Sequence, residues 1–148
     1  MTNYLIALDF SPLTPDLVAT ACGLAKSTDR LILVHVAPPE PDFIPYSAGP
    51  ASVREVVGKE LRKEHRQLLE QVTQLQEQGW DAEGHMVQGP TVPTLVEHAE
   101  KYQADFVIAG TRGHGKWHQW LVGSTTEALL KKLSVPLLVV PPRRDPPA

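Results

Sequence analysis

The chain has 148 residues, which is the length of a single domain. Its composition, 42% hydrophobic and 21% charged, is ordinary for a soluble globular protein and excludes a disordered, collagen-like or coiled-coil chain. The net charge is -3, and the basic residues are scattered, so we expect no binding to nucleic acid. The apolar runs are too short to span a membrane and no export signal is visible. With Cys22 as the one cysteine, we expect a cytoplasmic protein.

Five strands are predicted, because short apolar runs alternate with longer segments of helical periodicity, as in βα units around a parallel sheet. The predicted strands are Tyr4–Leu8, Leu31–Val36, about Asp81–Gln88, Phe106–Ala109 and Leu137–Val140. The third alternates more than the others, which favours an edge position. His35, in the second strand, is expected to be buried and hydrogen-bonded. No second domain is apparent, so we predict one domain over residues 1–142 and a short tail over 143–148.

Four helices are predicted between these strands. The first has Thr14 as N-cap and Pro15 in its first turn, and the second runs from about Ser52 to Gln78. The third spans about Pro93–Tyr102, and the fourth begins at Ser124 with an S-x-x-E capping box. The apolar stripes predicted to face the core are Leu17, Val18, Ala21, Leu24 and Ala25 in the first helix, and Val53, Val56, Val57, Leu61, Leu68, Leu69, Val72 and Leu75 in the second.

Two long loops interrupt this pattern. The segment Ala37–Pro50 holds five of the 14 prolines, and it is either a variable surface loop or a flap over a site. The second loop, Gly110–Gly123, joins the fourth strand to the capped fourth helix and is rich in glycine. Glycines between a strand and a helix N-terminus let backbone N–H groups approach a phosphate. This loop is therefore the best candidate for a binding site.

The glycine loop departs from two common phosphate-binding motifs. In the Walker A pattern, Trp117 occupies the position of the magnesium-binding hydroxyl. In the dinucleotide pattern, His118 stands where the last glycine should be, and the loop does not follow the opening strand. His114 and His118 are spaced as helical metal ligands can be, but they have no nearby carboxylate or cysteine, so we predict no metal site.

A different spacing matches without a gap: G-x-x-G from Gly110 to Gly113, nine residues, then Gly123-Ser124. With this motif the chain resembles the ATP-binding subclass of the universal stress protein family, the UspA-like domain. The resemblance covers essentially the whole chain. It extends to Asp9-Phe-Ser11, His35-Val36, Gln88-Gly-Pro90, Ala104-Asp105 and Pro136–Val140.

The resemblance implies a Rossmann-like α/β fold, similar to the adenine nucleotide alpha-hydrolases. It has one open five-stranded parallel sheet of order 3-2-1-4-5 with helices on both faces. It also implies ATP as the ligand, with Mg2+ as an optional companion ion, bound where the strand order reverses. The residues assigned to the nucleotide by this similarity are Asp9, Val36, Gly110, Arg112, Gly113, Gly123, Ser124 and Thr125. As an alternative, Asp9 serves only the turn into the first helix, and the glycines serve only strand-end geometry.

We therefore expect a nucleotide-binding regulatory protein of the stress response and not an enzyme, with any ATP hydrolysis slow. No Ser-His-Asp arrangement or catalytic carboxylate pair can be placed beside the loop. The alternative is a dimeric interaction module of the same fold that holds no nucleotide. We also expect a homodimer through the last strand, Leu137, Leu138, Val139 and Val140, since an apolar edge without charge favours pairing. An unidentified protein partner remains compatible with this role.

Overall fold

The computed structural model describes residues 1–10, 13–37, 50–110 and 124–141, and for residues 50–60 and Ser124 it describes the backbone alone. Five strands lie within these ranges. They are β1 (Asn3–Leu8), β2 (Arg30–Ala37), β3 (Asp81–Gln88), β4 (Phe106–Gly110) and β5 (Leu137–Val140). Each predicted strand is present, and the observed bounds differ by one residue at most. The continuous apolar runs thus form strands that are covered on both faces.

Four helices alternate with the strands. They are α1 (Thr14–Leu24), α2 (Pro50–Glu77), α3 (Thr91–Lys101) and α4 (Ser124–Lys132). Gly79 follows α2 with a φ of 94°, a left-handed conformation that glycine adopts without steric cost, so it ends the helix. Helix α3 begins at Thr91, two residues before the predicted start.

The strands form one parallel sheet in the order β3-β2-β1-β4-β5, as expected. Strand β1 pairs with β2 on one side, where Leu8 lies opposite His35, and with β4 on the other, where Ile6 lies opposite Ile108. The chain leaves β1 toward β2 and later returns to β4, so the order reverses beside β1. Strand β3 lies at one edge, as its alternating pattern predicts.

Two apolar layers cover the sheet. On one face, Ile6, Leu31 and Leu33 pack with Leu17 of α1 and Leu68 of α2. On the other face, the core joins residues of the strands to those of α3 and α4 and consists of Leu5, Ile32, Val34, Leu95, Ala99, Ala104, Val107, Ala109 and Leu129. Because neighbouring residues of a strand point to opposite faces, β1, β2 and β4 each supply both layers. The result is a three-layer α/β domain with helices on both faces.

Three expectations for the helices were wrong. Thr14 lies inside α1, where Leu13 occupies the N-cap position without a side-chain bond, and the buried Thr14 hydroxyl has no partner among the described residues. Leu24 and Leu69 were predicted to face the core but are 54% and 51% exposed. Each lies at the margin of its apolar stripe, where the helix surface turns away from the sheet. Val53, Val56 and Val57 lie among residues whose side chains are not described.

No helix in the described ranges is both long enough and apolar enough to cross a membrane.

Candidate functional site

A cleft lies at the carboxyl ends of β1, β2 and β4, with the first turns of α3 and α4 as its walls. Its cavity volume is about 100 Å³. The described residues that line it are Ala7, Leu8, Asp9, Val34, Val36, Thr91, Leu95, Ala109, Gly110, Thr125, Thr126 and Leu129. This is the place where the strand order reverses, and open α/β sheets bind their ligands there because the diverging connections leave a crevice.

The cleft brings together four of the predicted nucleotide-binding residues, which lie far apart in the sequence. Asp9 follows β1, Val36 is the last residue but one of β2, and Gly110 ends β4. Thr125 lies in the first turn of α4. Ser124 is the first residue of the same helix. The other predicted residues, Arg112, Gly113 and Gly123, lie outside the described residues. So does the rest of the glycine loop between Gly110 and Ser124.

Gly110 has a packing role that the sequence did not reveal. A Cβ atom built on Gly110 would lie 2.5 Å from Cδ2 of Leu13 and 3.6 Å from Cδ2 of Leu17. These leucines belong to the layer on the α1 face, so this position faces α1 and not α3 or α4. A side chain at this position would therefore collide with the core. Gly110 therefore lines the cleft with backbone atoms alone.

The wall formed by α3 and α4 combines helix N-termini with hydroxyl groups. Both helices begin at the cleft, so their unpaired backbone N–H groups and partial positive charges favour an anionic group. Thr91, Thr125 and Thr126 add hydroxyl groups, and Thr126 is only 4% exposed. Neither Thr91 nor Thr126 was predicted from the sequence. Thr91 directly follows Gly89-Pro90 at the end of β3, and this position could have marked it as a wall of the cleft.

The rest of the lining is largely apolar. Val34, Val36, Leu95 and Leu129 line the cleft together with Asp9, and Leu95 and Leu129 belong to α3 and α4. Apolar surface next to a few polar groups is the usual lining of a pocket for an aromatic ligand. Asp9 is the one carboxylate among the described lining residues, and the described part of the chain holds no group of three metal-ligating side chains.

A buried histidine lies directly behind the β1 end of the cleft, as the sequence predicted. His35 is 5% exposed, and its Nδ1 atom lies 2.7 Å from the carbonyl oxygen of Leu8. Its Nε2 atom lies 2.9 Å from Oε2 of Glu64 on α2. The ring of Phe10 packs against the imidazole with 4.6 Å between ring centroids. The backbone that carries Asp9 is thus held from the face opposite α3 and α4.

Comparisons with known proteins agree with this architecture. The family model of the Universal stress protein family matches residues 1–141. Among curated proteins, the Universal stress protein MJ0531 of Methanocaldococcus jannaschii is 30% identical over 139 residues, which cover 91% of this chain and 79% of that protein.

Two solved structures show the same fold. The protein MJ0577 superimposes with a TM-score of 0.79 at 23% identity, over 97% of this chain and 98% of that one. An Arabidopsis thaliana universal stress protein family member, At3g01520, has a TM-score of 0.69 at 17% identity, over 97% of this chain and 93% of that one. The Arabidopsis structure contains bound AMP.

Proposed function

The chain belongs to the universal stress protein family, and on this premise we propose that it is a regulatory protein that binds ATP in the cleft between β1 and β4. The observation that carries the proposal is the position of Asp9, Val36, Gly110 and Thr125 around one cleft at the reversal of strand order. The AMP bound to the Arabidopsis relative supports an adenine nucleotide as the class of ligand.

The lining suits the two ends of a nucleotide differently. The apolar side chains of Val36 and Leu95 can pack on an adenine ring, while the carboxylate of Asp9 accepts hydrogen bonds from ligand N–H or O–H groups. The first turn of α4, with Ser124 and Thr125, offers backbone N–H groups to phosphate oxygens. We assign Arg112, Gly113 and Gly123 of the glycine motif to the phosphates as well.

A binding role explains the cleft better than catalysis does. Its described lining provides a single carboxylate and neither histidine nor cysteine, so no base is paired with a nucleophile there. Asp9 is the described cleft residue that could approach a Mg2+ ion accompanying ATP, since carboxylates are preferred ligands of that ion. We therefore propose that turnover of ATP is slow or absent, and that the protein acts in the cytoplasm as a homodimer that reports to a protein partner.

The experiment is to denature the purified protein, identify any released nucleotide by mass spectrometry, and then titrate the emptied protein with ATP, ADP and AMP by calorimetry. We expect ATP binding, weakened about tenfold or more by Asp9→Asn, because a hydrogen bond to a charged group contributes about 1.5–3 kcal/mol. Gly113→Val should abolish binding while the protein stays folded. Thr73→Val, on an exposed position of α2, is the matched control and should bind as the parent does.

The outcomes separate two kinds of protein. Binding that depends on Asp9 and Gly113 supports the proposed function. Absence of heat with all three nucleotides at millimolar concentration would overturn it and favour the interaction module without nucleotide. Binding that Gly113→Val leaves unchanged would show that the phosphates are held elsewhere.

A further inference from the structure

The pairing of His35 with two acceptors determines where its protons lie. The carbonyl oxygen of Leu8 can only accept a hydrogen bond, so Nδ1 of His35 carries a proton. An ionised Glu64 also only accepts, so its 2.9 Å contact with Nε2 requires a second proton on the ring. With both hydrogen bonds made and Glu64 ionised, the ring is an imidazolium ion between a carbonyl and a carboxylate. A neutral ring that keeps the bond to Leu8 would present a lone pair to Glu64.

The contact with Glu64 is therefore the part of this arrangement that depends on ring charge. Histidine is the side chain whose charge changes most readily near neutral pH. The side chains of His35 and Glu64 are 7% and 19% exposed, so water competes weakly with their charge-assisted bond. Loss of the second proton would release α2 from the end of β2 and leave the ring held by its bond to Leu8 but not by α2, so the Leu8–Phe10 segment that rests on the ring would be held less firmly.

The same ring contacts the segment that carries Asp9. Leu8, which accepts the bond from Nδ1, precedes Asp9 and itself lines the cleft. Phe10, on the other side of Asp9, has a φ of 55°, which is unusual for a bulky residue and persists only where its surroundings hold it. Its ring packs on the imidazole. Both neighbours of Asp9 are thus fixed against one titratable group.

Few charged groups surround the imidazole in the described part of the chain. Glu64 of α2 contacts it, and Asp9 follows Leu8 on the cleft side. Arg62 and Lys63 adjoin Glu64 in sequence but are exposed. From the neighbouring strand, the register places Met86 beside the histidine, and that side chain does not titrate. Glu64 is accordingly the group to vary.

We propose that His35 and Glu64 are positioning residues that couple α2 to the Asp9 end of the cleft through a shared proton. When this tie, the hydrogen bond between Nε2 of His35 and Glu64, is made, the Leu8–Phe10 segment is held in the conformation that binds nucleotide. When the ring is neutral, the tie is lost and the affinity for nucleotide falls. This inference rests on the proposed nucleotide site for its ligand. The tie itself is a property of the protein without ligand.

Variants of Glu64 can fix either state. A glutamine can donate to a neutral Nε2 or accept from a protonated one, so Glu64→Gln keeps the tie at every pH. Glu64→Ala removes it at every pH. Glu70→Gln removes the same charge from an exposed position of α2 and is the matched control. All three can be compared with the parent between about pH 5 and pH 8.

The first measurement needs no ligand. In NMR spectra, the pH dependence of the Asp9 and Phe10 amide signals can be compared with that of the His35 ring. We expect the parent and Glu70→Gln to differ in this respect from the two Glu64 variants. In the parent and in Glu70→Gln the two amides should share the midpoint of the ring. In both Glu64 variants the ring can still titrate, and the amides should move only by the smaller shift that the ring charge produces directly through the bond to Leu8. Amides that ignore the ring in the parent, or that shift in Glu64→Ala as much as in the parent, would overturn the proposal.

The second measurement is ATP affinity by calorimetry over the same range. Phosphate groups of ATP also titrate near neutral pH, so the Glu64→Ala profile serves as the baseline. Compared with Glu64→Ala, the parent and Glu70→Gln should bind ATP at least about threefold more tightly at the acid end of the pH range and equally tightly at the alkaline end. Glu64→Gln should bind ATP more tightly than Glu64→Ala over the whole pH range.

The two measurements fail in different ways. If ATP binds to no variant at any pH, the proposed function is wrong, and the amide titration still decides whether the tie exists. If ATP binds and Glu64→Ala has the same pH profile as the parent, the nucleotide site stands and the coupling is wrong.

Discussion

Single carboxylates fix the start of the sheet. Asp29, at the turn before β2, is 4% exposed and accepts hydrogen bonds from the backbone N–H groups of Thr2 and Lys26, each at 2.8 Å. Asp105, before β4, accepts one from the backbone N–H of Asn3 at 2.8 Å. The N-terminal strand therefore lies between two loops that hold it by side chains. The hydrogen bonds from Lys26 and Thr2, in that order, lower the pKa of Asp29 below its ordinary value.

A lowered pKa predicts how stability depends on pH. Because Asp29 binds a proton less readily when folded, its contribution is present above the pKa of the unfolded chain and is lost as the pH falls through the folded pKa. We expect Asp29→Asn to lower the free energy of unfolding at neutral pH, since the amide nitrogen cannot accept the second hydrogen bond. The difference from the parent should shrink well below the ordinary aspartate pKa of about 3.9. Urea denaturation at neutral pH and at a pH well below the ordinary aspartate pKa measures both effects.

The control is Asp81→Asn. Asp81 pairs with Arg30 at 3.3 Å, but both side chains are about half exposed, and such surface pairs contribute little. The Asp81→Asn substitution should change the midpoint of urea unfolding much less than Asp29→Asn does. If Asp29→Asn were equally destabilising in acid and at neutral pH, hydrogen bonding to the ionised carboxylate would not be the cause.

At the scale of elements, a glycine sets the distance between α2 and β3. A Cβ atom built on Gly84 would lie 2.7 Å from Cγ2 of Val72 and 3.1 Å from Cγ of Leu68. Both side chains are buried in the layer under α2, so neither can move aside freely. Helix α2 therefore packs against the backbone of β3 at this point. This close approach explains a glycine in the middle of a strand.

Two substitutions of glycine by alanine should consequently have opposite effects. Gly84→Ala overpacks the contact between α2 and β3, and we expect a loss of about 1–3 kcal/mol in the free energy of unfolding. Gly23→Ala, in α1, meets no atom within 4 Å, and we expect a gain of about 0.5–1 kcal/mol from helix propensity. Chemical denaturation of the two variants tests the pair. A Gly84→Ala protein as stable as the parent would contradict the close contact.

These elements also show what a sequence can and cannot predict. Strand bounds and the edge position of β3 follow from apolar periodicity, because the number of buried faces determines the pattern. The exposure of Leu24 and Leu69 does not follow, since a helical stripe does not define how far the sheet extends beneath it. Neither did the role of Gly110 against Leu13, because that distance arises only when α1 is seated on the sheet.

In the candidate site, too, some residues were predicted from the sequence and others were not. The family resemblance implied which strand ends and which helix would meet, and Asp9, Val36, Gly110 and Thr125 do line one cleft. Thr91 and Thr126 were missed, because no motif names them and their position depends on where α3 and α4 begin. His35 was predicted as a buried, hydrogen-bonded residue, while its partner Glu64 lies 29 positions away on a helix of many charges.

At the scale of the whole molecule, the two edges of the sheet differ in charge. Strand β3 carries Asp81 and Glu83, which lie 3.3 Å and 3.8 Å from Arg30 of the neighbouring strand. Charges at an edge discourage pairing with another sheet. Strand β5, Leu137–Val140, carries none, and Leu138 is 36% exposed. We therefore place the proposed homodimer contact at β5, where the same strand of a second copy would pair across a two-fold axis.

The hydrogen-bond pattern of β5 gives a sharp test of this contact. Val107 of β4 donates to the carbonyl of Pro136, so Leu138 and Val140 bond to β4, and the N–H groups of Leu137 and Val139 point to the open edge. Val139→Pro removes one outward donor and leaves the bonds to β4 intact, whereas Leu138→Pro should unfold the edge of the sheet. We expect the parent to be a dimer at tens of micromolar by light scattering and Val139→Pro to be a folded monomer. Val139→Lys, which would bury an unpaired charge in the contact, should weaken the dimer as well. A parent protein with a monomeric mass, with or without ATP, would exclude the contact.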